Sequence, residues 1–587
     1  MKKLLAPLLA SMALSSCNVV SIDLVPGQVV GVSGTGKYEL ELKLSAQPQD
    51  VYFVFTNPSA SAKSLPAIAS SIPEAASRGW IGTDQGGDRS GDAGIDAQDR
   101  ADAELRRREA LLPQIERGGA ASRGEARSRA LPDTASLAVG SSQLSYLRAI
   151  PKVSDGEIEA DCTLRGMRTA STAFGEKTLL VWVEDAAWVD PPGATGPVFT
   201  QAMVDGLMDA FLEPDSSDQH KNDIYNWVTA ICGEEWGETS ASNLIGDEDL
   251  ISIVVYDIEG DESENGGIMG YFWGGNNFTG YGSNEAILFA LDSYLTAVPD
   301  QGEEWSADAR WFKMALSTLA HEFQHMISFY QRQVLSGLPS LPTFVEEMLS
   351  ENVEDLVASR LLVPGPRDVE LLPGGELGTV YDFSAGVVTA KTGRLQLLNL
   401  MLNEPIATGD DFWRSPSDNA RLLANYSQAF GFGAWYIRNY GGPSLYKAIY
   451  ENASSDIEII GSAARSLDPA LAREGFWDYA GRWGAAIVLS DTYAATPYSL
   501  NKGGAYSWVV GGQSVMAGSI NHFLYSYEGD YGQASGPSLI TGTSLAALEL
   551  KPFSNTYYLA GAALSGTHRW TIDGMDGVIV SVASKLR

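Results

Sequence analysis

From about residue 59 to residue 135 the chain is built mainly from Ala, Ser, Gly, Arg and Asp, in runs such as GTDQGGDRSGDAGIDAQDR and RGGAASRGEARSRA. A stretch of that kind cannot bury enough apolar surface to offset the entropy lost on ordering it, so the fold has to be assembled from what lies on either side. It reads as a flexible spacer or a propeptide-like segment, with one short helix expected around ADAELRRREALLPQIE. The flanks can supply more than one core, because the whole chain is 587 residues long and 44% hydrophobic.

Periodicity divides those flanks. YELELKLSAQPQDVYFVF (38–55) alternates and is rich in β-branched and aromatic residues, which predicts two strands. Order returns near residue 144. KTLLVWVEDAAWV (177–189) and DLISIVVYDIEG (249–260) read as strands, with helical patterns in VFTQAMVDGLMDAFLE and DIYNWVTAICGEEWG between them, so the central region is α+β. GGIMGYFWGGNNFTGYGSNEAILFALD (266–292) fits loops flanking further strands. Beyond about 500, AYSWVVGG, NHFLYSYEGD, TYYLAGAAL and VIVSVASKL, broken by Gly and Ser, predict a separate β-sandwich-like domain. The expected layout is a leader at 1–16, an N-terminal β segment at 17–58, a low-complexity segment at 59–140, a central unit at 141–490 and an all-β unit at 491–587.

The 73 acidic and 40 basic residues leave a formal charge of −33, which repels phosphate backbones and excludes nucleic acid as the expected partner. Met1-Lys2-Lys3 followed by LLAPLLASMAL has the form of a signal peptide. Its end, Leu14-Ser15-Ser16-Cys17, resembles a bacterial lipobox, which implies that Cys17 carries a lipid anchor and that the protein is exported, membrane-attached and facing the cell surface or the periplasm. The remaining Cys162 and Cys232 are compatible with a disulfide and equally with two buried free thiols.

Two of the five histidines lie in LAHEFQHMISFY (319–330). Apolar residues recur at spacings of three and four from Trp311 to Ile327, which predicts a helix over 308–334 with Ser306 near its start and Gly337 beyond its end. On that helix His321 and His325 share one face, one turn apart, a spacing that lets two imidazoles hold one zinc ion. Glu322 lies about 100° round the helix, placed as the general base of an HExxH metallopeptidase. A hydrolytic zinc site needs a third protein ligand. PTFVEEMLSENVEDLVASRLL (342–362), a second helical segment, offers Glu346, Glu347, Glu351 and Glu354.

With both helices in view, the chain resembles the gluzincin peptidases. More narrowly, LSTLAHEFQHMI with FVEEMLSENVEDL, preceded by LLVWVEDAAW, IVVYDIEGD and GYFWGGN, resembles the hyicolysin family of zinc metallopeptidases over about 175–445. The resemblance implies a gluzincin-like domain holding one catalytic Zn²⁺ on His321, His325 and Glu347. Glu347 falls in Glu346-Glu347-Met348, where the family usually has Asn-Glu-Gly. Glu351 takes the place of an acidic residue that orients a ligand imidazole, while a solvated helix face accounts for Glu346 and Glu354. NYSQAFGFGAWYIRNYGG (425–442) resembles the helix that supplies a donor to the oxyanion, with Tyr426 the candidate and Tyr436, Tyr440, His522 and His568 the alternatives. The implied activity is hydrolysis of peptide bonds in protein or peptide substrates through a zinc-bound water, with Glu322 as general base. The rival reading is a surface lipoprotein that binds other proteins without turnover, and the intact set of His321, Glu322, His325 and Glu347 separates the two, since binding alone has no use for a general base.

Overall fold

LISIVVY, Leu250–Tyr256, is buried along its whole length, as a strand must be when both faces of its sheet are covered. In the computed structural model it is a central strand of a six-stranded sheet. The structure describes residues 19–70, 112–116, 137–188, 198–361, 369–371, 377–380 and 394–587, apart from internal stretches of ten residues or fewer. The leader, Cys17 and most of 59–140 lie outside the described residues.

The sheet runs in the order Gly270–Phe272, Ile287–Asp292, Leu250–Tyr256, Gly175–Glu184, Glu159–Thr172, Gln143–Arg148. Its three middle strands are parallel, with Ile253 opposite both Val181 and Phe289, whereas Gly270–Phe272 pairs antiparallel at one edge. Side chains alternate across it. Leu179, Val181, Ile253 and Phe289 face the large core shared with the helices, and Leu180, Trp182, Val254 and Leu288 face a smaller cluster on the other side.

That alternation decides the cysteines. Both are free and buried. Cys162 belongs to the smaller cluster with Leu180 and Trp182, while Cys232, at the end of helix Ile224–Cys232, belongs to the large core that Leu179 and Val181 face. The sheet lies between them, so no disulfide joins them, and burial pushes both thiols above their ordinary range.

The two ends of the chain, expected as separate β units, share sheets. Val19–Leu24, Lys37–Leu44, Thr567–Asp573 and Ala67–Ser70 form one sheet, in that order. Leu539–Ile540, Ser554–Leu564, Gln49–Asn57, Ile579–Leu586 and Val29–Ser33 form the other. Leu40, Phe53, Phe55, Trp570 and Val582 fill the space between the two sheets. The alternating patterns at each end were half of a sandwich, and neither half can cover its apolar face without the other. Residues 500–525 do not join it: Leu500, Val515, Ile520 and Tyr525 belong to the central core. Within the low-complexity segment, Ala67–Ser70 is a strand, and residues 112–116 are not helical but are fastened to the central unit. There Ser242 N–H donates to Glu116 O at 3.0 Å and Asn243 Nδ2 to Gln114 O at 2.9 Å.

Two helices carry the histidines and the glutamates. The motif helix, Arg310–Ser328, continues as wider π-helical turns over Phe329–Leu335 and ends at Gly337, whose φ of +69° only glycine adopts at little cost. The glutamate helix, Thr343–Leu361, starts immediately after Pro342 and packs against it. Among the described residues no helix is long and apolar enough to cross a membrane.

Candidate metal site

The motif and glutamate helices run antiparallel, so passing backward along one meets residues passing forward along the other. Ser328 Oγ donates to Glu346 Oε1 at 2.9 Å, and His325 Nδ1 lies 3.7 Å from Glu346 Oε2. One turn back, His321 Nδ1 is 2.7 Å from Glu354 Oε1, and Ser317 Oγ donates to the other oxygen of Glu354.

Both imidazoles turn Nε2 toward one carboxylate oxygen. Glu347 Oε2 is 3.4 Å from Nε2 of His321 and 3.6 Å from Nε2 of His325. A tetrahedral ion with bonds of 2.0–2.2 Å to N and O separates its ligand atoms by about 3.4 Å. The three donors therefore stand at nearly the spacing that one zinc ion requires. His325 and Glu347 are buried and His321 retains a small exposed edge.

The electrostatics agree with the spacing. Burial alone would depress the His321 ring, yet hydrogen bonds to Glu347 and Glu354 and the nearby charge of Glu322 hold it well above its ordinary value. The carboxylates thus favour positive charge at this point, which a proton or a divalent cation can supply. A second set of donors, on His321, Glu351 and Glu354, also lies within 4.8 Å of one another. It is the poorer ligand set, because Glu351 already binds a guanidinium and the Nδ1 of His321 is taken by Glu354.

Glu322 reaches the edge of the sheet, where its Oε2 accepts the backbone N–H of Phe272 at 2.8 Å. The edge strand can approach the motif helix this closely because residue 270 is glycine. A Cβ there would stand 2.7 Å from Ala290 O and 3.1 Å from Thr318 Cγ2 of the motif helix.

Three expectations are corrected. Glu351 does not orient a ligand histidine: its Oε1 accepts from Arg394 Nε at 2.9 Å and lies 2.8 Å from Nη2 of the same guanidinium. Glu354 contacts the His321 ring instead, because a seven-residue step returns a helical side chain to within about 20° of Glu347 whereas a four-residue step leaves it about 40° away. Glu346 is not on a solvated face either. It is buried between Ser328 and His325. If Glu354 fixes the His321 ring, Glu354→Gln should weaken zinc binding about 10- to 100-fold. A competition titration against a zinc chelator measures this, and an unchanged affinity would remove Glu354 from the role.

Tyr426 is buried, with its ring 5.0 Å from the Arg394 guanidinium and edge-on to Phe412 at 5.4 Å. Of the alternatives, Tyr436 OH donates to Ile460 O at 2.7 Å and Tyr440 accepts from Arg482. His522 is fully buried, and His568 is on a strand of the terminal sandwich. Reading the residues alone missed Ser317, Ser328, Arg394 and the Phe272 amide. Only the two serines left a signal, as S-x₃-H-x₃-H-x₂-S facing E-E-x₆-E.

No curated protein matches the chain. Residues 160–371, which include the histidine pair, Glu322, the four glutamates of the second helix and the edge strand, match the family model described as Peptidase M30, that of the hyicolysin family of peptidases.

Proposed function

We propose that the protein is an exported zinc endopeptidase, attached to a membrane through a lipid on Cys17. The observation that carries the catalytic part is the spacing of three donor atoms, 3.4 and 3.6 Å from Glu347 Oε2 to the two Nε2 atoms. The chemistry an ion bound there supplies is acidification of a water molecule and polarisation of a carbonyl.

The chain's own residues do the rest. Glu322, fixed by the Phe272 amide beside the ligands, takes a proton from the attacking water and passes it to the nitrogen of the leaving chain. One water O–H bond and the peptide C–N bond break, and one C–O and one N–H bond form. Tyr426 is the candidate donor to the oxygen that gains charge. Gly270–Phe272, at the edge of its sheet, offers an extended peptide a place to add as a further strand. The attachment rests on the leader and on Cys17 at its end.

The test is direct. The purified protein should hold one zinc ion per chain and cleave unfolded casein. 1,10-Phenanthroline should abolish cleavage and added zinc should restore it. Casein left intact by zinc-loaded protein would overturn the catalytic reading.

A further inference from the structure

Residues 19–70 are joined covalently to the rest of the fold through 71–136, and among the described residues no disulfide adds a second link. Their non-covalent hold is extensive. Strand Gln49–Asn57 is threaded between Ser554–Leu564 and Ile579–Leu586, antiparallel to both, with Phe53 opposite Tyr558 on one side and Val582 on the other. Both of its edges are therefore spent in ladders. Both of its faces are covered as well: Val51, Phe53 and Phe55 enter the sandwich core, and Tyr52 and Val54 enter the large central core.

The second face ties the sandwich to the helical unit. Helix Phe476–Val488 lies so close to it that a Cβ at Gly481 would stand 2.8 Å from Thr56 Oγ1 and 2.9 Å from Ser581 Oγ. Thr56 Oγ1 donates to Asn555 Oδ1 at 2.6 Å, and Asn555 Nδ2 donates to Ala480 O of the helix at 3.0 Å. One strand from the N-terminal arm thus fills the gap between two C-terminal strands and packs under a helix of the central unit. To leave, the arm would have to break two ladders and expose apolar side chains on both faces at once.

We propose that the terminal sandwich is a clasp, in which residues 19–70 are the ligand and the facing edges of Ser554–Leu564 and Ile579–Leu586 are the receptor, so that the covalent connection through 71–111 is dispensable once the chain has folded. The clasp does not rest on the peptidase reading. Its consequence at a membrane, retention of the metal-site unit without a continuous chain to the anchor, rests on the lipid at Cys17.

The test uses the full-length protein with a TEV protease site inserted between Gly86 and Gly87. After complete cutting, judged on a denaturing gel, the sample is diluted to about 1 μM, where a micromolar complex is largely open, and passed over a native size-exclusion column. Both pieces should emerge in one peak. An N-terminal piece that elutes by itself overturns the clasp. Trp570→Ala removes the ring that meets Phe53 edge-on at 5.6 Å, and should release the N-terminal piece from cut protein about tenfold faster or more. Val582→Ala, a smaller change in the same core, serves if Trp570→Ala does not fold. Release unchanged from the parent also overturns the clasp, because another surface would then hold the pieces. In detergent phase separation the larger piece of the cut protein should follow uncut protein into the detergent. Uncut protein in the aqueous phase would remove the lipid and leave the column result to decide the clasp.

Discussion

Glu322→Gln should still bind one zinc ion per chain while peptide hydrolysis falls by about 10²- to 10⁴-fold, the range typical of losing general-base assistance. The substitution keeps the size of the side chain and an oxygen that can accept the Phe272 N–H, so the contact at 2.8 Å that ties the motif helix to the edge strand has a replacement. Glu322 contributes no atom to the ligand group of His321, His325 and Glu347. What disappears is the ability to take a proton. Metal content by mass spectrometry of the native protein and casein turnover, measured on the same preparation, separate the two properties. Full turnover in Glu322→Gln would refute the proposed mechanism. Loss of zinc together with turnover would instead place Glu322 among the groups that hold the metal.

How much of this was readable without coordinates depends on the range of the interaction. The HExxH face needed only the 3.6-residue period, and that period places His321 and His325 within one helix whatever surrounds it. The glutamate helix was equally legible as a helix. Which of its four glutamates does what was not, because that depends on the antiparallel register between two helices. The i+4 rule pointed to Glu351, but Glu351 turns to Arg394, 43 positions later, and a partner at that distance leaves no local trace. The same holds for the ends of the chain. The patterns in residues 38–55 and in VIVSVASKL predicted strands at both ends, while their pairing, Val582 opposite Phe53, joins segments separated by most of the sequence. The cysteines needed the faces of the central sheet: an even count permitted a bridge, and only the positions of Cys162 and Cys232 on opposite sides forbid it.

The register of the two helices also sets the order in which the glutamates should matter for metal. Glu347→Gln should lose more zinc affinity than any other single change on the second helix, beyond the 10- to 100-fold that removing an outer partner costs, because it deletes an anionic ligand and leaves two neutral imidazoles. Glu347 Oε2 lies near both Nε2 nitrogens, at 3.4 and 3.6 Å. Glu346→Gln should cost less. Its carboxylate lies 3.7 Å from His325 Nδ1, on the side of the ring away from the ligand nitrogen, and glutamine can still accept from Ser328. Its effect therefore belongs in the 10- to 100-fold range of groups that orient a ligand. Zinc dissociation constants for the two variants, obtained by chelator competition at one pH, test the order. If Glu346→Gln loses the metal and Glu347→Gln keeps it, the ligand is Glu346, and the pair of short contacts from Glu347 Oε2 to the two histidines marks an ion pair instead of a coordination site.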